Sequence, residues 1–191
     1  MIKPLTDQKI DQVVNLHRNE LSGFLPELGE EFLTKFYRAS LETPDLVTYV
    51  EEENGKVRGF VSYSVNTEGL NSRILKKDLL GFVIVLLRYI ITHPLKTVKF
   101  IKIIAYPGFS SKRAELLSIA VDRNHRMKGI GKKLLKITAS DMKKKGIKKF
   151  KISVYDRLPA NAFYMKTGCK LTESFEFMGE LMNYYEYEIR D

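Results

Sequence analysis

The chain has 191 residues, 44% hydrophobic and 29% charged, which suits a single globular domain over 1–191 and excludes a disordered or fibrous chain. Its one cysteine, Cys169, excludes an internal disulfide and a cysteine-rich metal site, so no metal is expected and a reducing, cytoplasmic setting fits. The net charge of +9 favours anionic ligands, whereas the lack of zinc-finger spacing or an RNP-like aromatic strand argues against nucleic acid as partner.

The first residues lack the long apolar core of a signal peptide. Residues 2–5 read as a short strand. Thr6 is the predicted N-cap of a helix that carries Ile10, Val13, Val14, His17 and Leu21 on one face. A histidine on such a stripe is expected to be packed and hydrogen-bonded. Gly23-Phe24-Leu25-Pro26 breaks the helix, and a second starts near Gly29 with Phe32, Leu33, Phe36 and Tyr37 on its buried side. Residues 46–52 and 56–65 form a hairpin about Asn54-Gly55, the two-residue turn whose positions tolerate positive φ.

The stretch from about 68 to 109 differs from its surroundings. Residues 79–91 are apolar except for Gly81 and Arg88. That is short of the ~20 residues a membrane span needs, so a buried helix is predicted. The run either covers the core or forms a homodimer surface. Pro94 then opens a further helix. Lys96, Lys99 and Lys102 share one face of it, opposite Leu95, Val98, Ile101 and Ile104. A solvated lysine face over a packed apolar one is expected, with peripheral contact to an anionic membrane as the minor reading.

Residues 113–121 read as a strand and 130–145 as a helix with Ile130, Leu134, Leu135, Ala139 and Met142 inward and Gly146 as its stop. Residues 149–155 alternate as the next, parallel strand. Pro159 opens a short helix over 160–167, and 169–173 with 181–190 form a closing antiparallel pair.

Between the strand and the long helix lies Arg126-Met127-Lys128-Gly129-Ile130-Gly131. Its glycines let the backbone approach a ligand closely. The free amides of the helix start, together with its dipole, favour an anion there. Arg126, Lys128, Lys132 and Lys133 add charge, so the turn suits a pyrophosphate. It is neither the G-x-G-x-x-G of a dinucleotide fold nor a P-loop. A parallel pair opening at its carboxyl ends would leave the strand edge of 117–121 free for an amide-rich arm.

This stretch resembles the acetyl-CoA loop of the Gcn5-related N-acetyltransferase (GNAT) superfamily, Gln/Arg-x-x-Gly-x-Gly/Ala. Residues Pro159 to Gly168, with Asn161, Phe163 and Tyr164, are similar to that superfamily's second signature, Asn-x-Pro-Ala-x-x-Phe-Tyr-x-x-x-Gly-Phe. Arg157 stands where many members have asparagine, and Cys169 replaces a phenylalanine, as a small buried hydrophobe. The resemblance implies the α/β (α+β) acyl-CoA N-acyltransferase fold: a central mixed sheet flanked by helices, here with 68–109 as a helical insertion. It also implies direct acetyl transfer from acetyl-CoA, as co-substrate, to a primary amine. Nucleotide-linked or other amino sugars are the attractive acceptors. Cofactor contacts carry over to Ile119, Ala120, Val121, Arg126, Met127, Lys128, Gly129, Ile130, Gly131, Lys132, Asn161 and Tyr164. Tyr164 carries over as the acid that protonates the leaving sulfur. Glu115 is the first candidate base, ahead of His17 and Glu31. The rival of another class is a non-catalytic acyl-CoA-binding or membrane-surface module of the same fold.

Overall fold

The computed structural model describes residues 1–94, 113–177 and 179–190. Among these, seven strands form one sheet: β1 (Ile2–Pro4), β2 (Leu46–Glu53), β3 (Lys56–Ser64), β4 (Glu115–Val121), β5 (Lys149–Tyr155), β6 (Lys170–Phe177) and β7 (Glu180–Glu188), in the order β1-β2-β3-β4-β5-β7-β6. Every neighbouring pair is antiparallel except β4 and β5, so the sheet is mixed as expected. Asn54 and Gly55 turn the β2–β3 hairpin with φ of 50° and 78°, the left-handed values that this turn demands.

Helices cover both faces. On one side lie α1 (Ile10–Glu20), the short α2 (Phe24–Glu27), α3 (Glu30–Leu41), α4 (Leu70–Leu75) and α5 (Leu79–Thr92). Val13, Val14, Leu33, Tyr37, Phe60 and Phe82 lie in the core beneath them. On the other side α6 (Ile130–Lys144) lays Leu134, Leu135 and Met142 on Val61, Tyr63, Phe150 and Ile152. α7 (Ala160–Lys166) adds Tyr164 to this second core. Gly59 lets α6 sit this close to β3. A Cβ there would stand 3.0 Å from both the Ala120 carbonyl oxygen and Ile130 Cγ2.

Two expectations are corrected. Thr6 makes no capping bond, because a 3-10 turn, Asp7–Lys9, intervenes before α1. Residues 79–91 do form a helix, but not a buried one. Only Phe82, Val85 and Tyr89 are buried, whereas Leu80 is 73% and Ile91 77% exposed. The run is apolar on every side, yet α5 meets the core along one side, where Phe82 lies edge-on to Phe32 of α3 at 5.3 Å. Its start is set by Asp78, which accepts from the Gly81 amide at 3.0 Å and pairs with Lys35 of α3 at 2.7 Å. The lysine-bearing helix expected after Pro94 lies outside the described residues.

Candidate active site

β4 and β5 are both seven residues long but pair only at Glu115↔Lys151 and Leu116↔Ile152. Beyond that point β4 stays with β3 and β5 with β7, so the two parallel strands part toward their carboxyl ends. β4 also carries a bulge. Tyr63 opposes Leu116 and Ser62 opposes Ser118, so Leu117 is the extra residue. The bulge flips the alternation: Leu116 and then Ile119 and Val121 pack toward the α6 core, Leu117 and Ala120 toward the α1 core. The wedge between the strands therefore exposes the backbone edge of 117–121.

The glycine loop crowns the open end. Met127 and Gly129 have left-handed φ of 63° and 77°, and Met127 is fully exposed. A methionine in that region is uncommon and carries strain, the kind found where a loop is shaped for a ligand. Gly131 serves packing: a Cβ on it would lie 3.3 Å from the Phe163 ring, so the start of α6 rests directly on α7. The two sequence signatures thus touch.

Among the described residues, nothing in the chain accepts a hydrogen bond from the amides of 126–132, and α6 has no side-chain N-cap. Its first turn holds no acid, and among the described residues Lys128, Lys132 and Lys133 have no carboxylate partner. Cations at a helix N-terminus oppose the helix dipole, so this arrangement is unfavourable by itself and would be relieved by an anion. A diphosphate fits the donor set. Arg126 is held differently: its Nη2 bonds Glu20 of α1 and its Nε donates to the Val121 carbonyl at 3.2 Å.

Tyr164 is 5% exposed and lies in the same core as Ile119, Val121 and Ile130. Its ring meets Phe163 at 5.4 Å and Tyr185 at 5.8 Å. Burial pushes the phenol above its usual range, and no described residue accepts its proton. Burial likewise raises the thiol of Cys169, which packs in this core as a small buried residue.

Glu115 sits at the closed end of the wedge, about 20 Å along β4 from the loop at ~3.4 Å per residue. Its carboxylate meets Lys151 Nζ at 3.3 Å and accepts from the Ser153 hydroxyl at 2.9 Å. Neither partner stands out in the sequence, since both are ordinary polar positions of an alternating strand. Asn161 is occupied by the chain itself. Its Nδ2 donates to the carbonyls of Tyr155, Asp156 and Leu158, and its Oδ1 accepts from Asn183 and Tyr185. It shapes the turn from β5 into α7. Arg157 pairs with Glu180 and stacks on Tyr155 at 5.1 Å. His17 is buried against Phe60, with Nδ1 2.7 Å from the Tyr37 hydroxyl. Desolvation lowers its pKa to about 4, and it is the packed histidine the sequence suggests. Glu31 pairs with Arg88 at 3.2 Å.

Comparison with known families matches residues 10–169 to the model described as the acetyltransferase (GNAT) family. A comparison with curated proteins gives no match. Among solved structures, smu.2055 from Streptococcus mutans UA159 is 21% identical with a TM-score of 0.63, over 100% of this chain and 99% of that one. The PaiA N-acetyltransferase from Thermoplasma acidophilum, in complex with coenzyme A, is 17% identical with a TM-score of 0.61, over 98% of each chain. An aminoglycoside 6'-N-acetyltransferase complexed with coenzyme A is 12% identical with a TM-score of 0.65, over 100% of this chain and 98% of that one. At these identities the likeness is one of fold.

Proposed function

Because the chain belongs to the acetyltransferase (GNAT) family, we propose that it moves an acetyl group from acetyl-CoA to a primary amine of a small molecule. The observation that carries this is the row of uncapped amides at 126–132, ringed by Lys128, Lys132 and Lys133, at the mouth of the β4–β5 wedge. These amides and lysines would hold the diphosphate, and the open edge of 117–121 would take the amide-bearing arm, running from Val121 beside the loop inward past Ala120 and Ile119 toward its acyl end. The co-substrate supplies an activated thioester. In the transfer a C–N bond forms as the amine attacks the carbonyl, the C–S bond breaks, and the sulfur takes a proton.

In this reading Tyr164 delivers that proton. A buried phenol without an acceptor keeps its hydrogen until a stronger base, the departing thiolate, comes within reach. Backbone amides of the bulged strand polarise the carbonyl, and their fixed orientation costs no reorganisation as charge develops. Glu115, braced by Lys151 and Ser153, is the carboxylate assigned to the amine's proton. The acceptor class we assign is an amino sugar, including nucleotide-linked ones, in keeping with the +9 charge, which attracts phosphates and repels polycations. We also take 68–109 as a helical insertion within one domain.

The test is thiol release from acetyl-CoA with amino sugars, amino acids, polyamines and peptides as acceptors. Turnover with a small-molecule amine supports the reading. Coenzyme binding without turnover on any amine replaces it with a non-catalytic binding module, and no coenzyme binding removes it.

A further inference from the structure

Glu20 closes α1, yet its carboxylate belongs to the anion loop, which lies 103 residues further along the chain. The side chain is 5% exposed, while those of Arg123 and Arg126 are 67% and 52% exposed. Oε1 accepts from the Arg123 amide at 3.3 Å and from Arg123 Nε at 3.1 Å. Oε2 accepts from Arg126 Nη2 at 2.5 Å. Arg123 Nη2 also donates to the Asn19 carbonyl at 3.3 Å, one of the acceptors that a helix end leaves free. The only neighbouring carboxylate within the loop, Asp122, is already engaged by the Asn124 amide at 2.8 Å and the His125 ring at 3.1 Å.

We propose that Glu20 is a positioning residue for the diphosphate: its buried carboxylate clamps Arg123 and Arg126 so that the loop is shaped before the coenzyme arrives. This rests on the loop being the coenzyme A site. One carboxylate between two guanidinium groups leaves a single positive charge over, at the mouth of the loop. Arginine side chains are long and rotamer-rich, so two of them free at the surface would have to be ordered by the ligand itself. Glu20 supplies that order in advance. Both arginines keep donors unused, since among the described residues Arg126 Nη1 has no acceptor.

The experiment compares wild type with E20Q, R126Q and the double variant. It reads KM for acetyl-CoA, kcat with the best acceptor, and the Kd of coenzyme A by calorimetry. E20Q keeps the shape and removes the charge. KM and Kd should rise about tenfold, the size of one charge-assisted hydrogen bond, with kcat changed less than about twofold. The double variant should be no worse than the poorer single one. R123Q alters an exposed side chain and should move KM in the same direction, which keeps the test alive if E20Q fails to fold. An unchanged KM in the folded variants, additive effects in the double variant, or a lower KM, which would mean that the carboxylate competes with the anion, each overturns the proposal. A wild type that binds no coenzyme A overturns the site reading and this inference together. Normal wild-type binding with unmoved variants overturns the inference alone.

Discussion

Tyr164 owes its assigned role to a contrast within one side chain. Its ring is packed on Phe163 and Tyr185, so it cannot wander, but its hydroxyl has no acceptor among the described residues. Replacing it with phenylalanine keeps the packing and removes one proton donor. Tyr164→Phe is therefore expected to retain the wild-type melting temperature within about 2 °C and to lose roughly 100-fold or more in kcat, with KM for acetyl-CoA little changed. Thiol-release kinetics beside a thermal melt check this, and a variant with wild-type kcat would reduce Tyr164 to a core aromatic. Because burial raises its pKa, the phenol should stay protonated through the range where a free tyrosine starts to ionise, and kcat should show no alkaline limb from it below about pH 10.

At the scale of elements, the site is a consequence of two strands that separate. β4 and β5 share two residue pairs and then follow different neighbours, and the Leu117 bulge re-aims the edge that remains. α6 must be held against this edge, and Gly59 is where that contact is tightest. Gly59→Ala pushes a methyl against the Ala120 carbonyl and Ile130, so a loss of about 1–3 kcal/mol is expected, read as a lower urea midpoint at unchanged slope. α5 offers the opposite test. Its core contact rests on Phe82, fully buried against Phe32, and Phe82→Ala should cost about 3–5 kcal/mol. A cost under about 1 kcal/mol would mean that α5 contributes little to the first core.

For the whole molecule, the buried His17 links stability to pH. Its pKa is about 4 in the fold against 6.5 when free, so the unfolded chain binds the proton more tightly. The stability held by the neutral ring is full above about pH 6.5 and is lost as the pH falls toward 4. From pH 7 to pH 5 the expected loss is about 2 kcal/mol from this one group. Glu51 adds to the fall at lower pH, because Arg58 holds its carboxyl below the usual range. Urea titrations at the two pH values should show the drop, and His17→Gln, less stable throughout, should flatten the dependence between them. An equally steep fall in that variant would assign the effect elsewhere.

Hydrophobic periods, the Asn-Gly turn, and glycines before a helix are rules of a few consecutive residues, and so the hairpin, the mixed sheet and the glycine turn before α6 were legible in the chain itself. Their physics is local: φ preference, side-chain alternation and unpaired helix amides act wherever the stretch is placed. What the tertiary structure decided are meetings between distant residues. Nothing near position 20 says that its carboxylate will close on Arg123 and Arg126, nor near 115 that Lys151 and Ser153 will brace it. The apolar run 79–91 announced burial on every side, but how much of a helix is covered depends on which neighbours reach it, and α3 reaches one face. That Asn161 holds the turn from β5 into α7 was hidden as well, because the carbonyls it meets converge only once β5 has passed into α7.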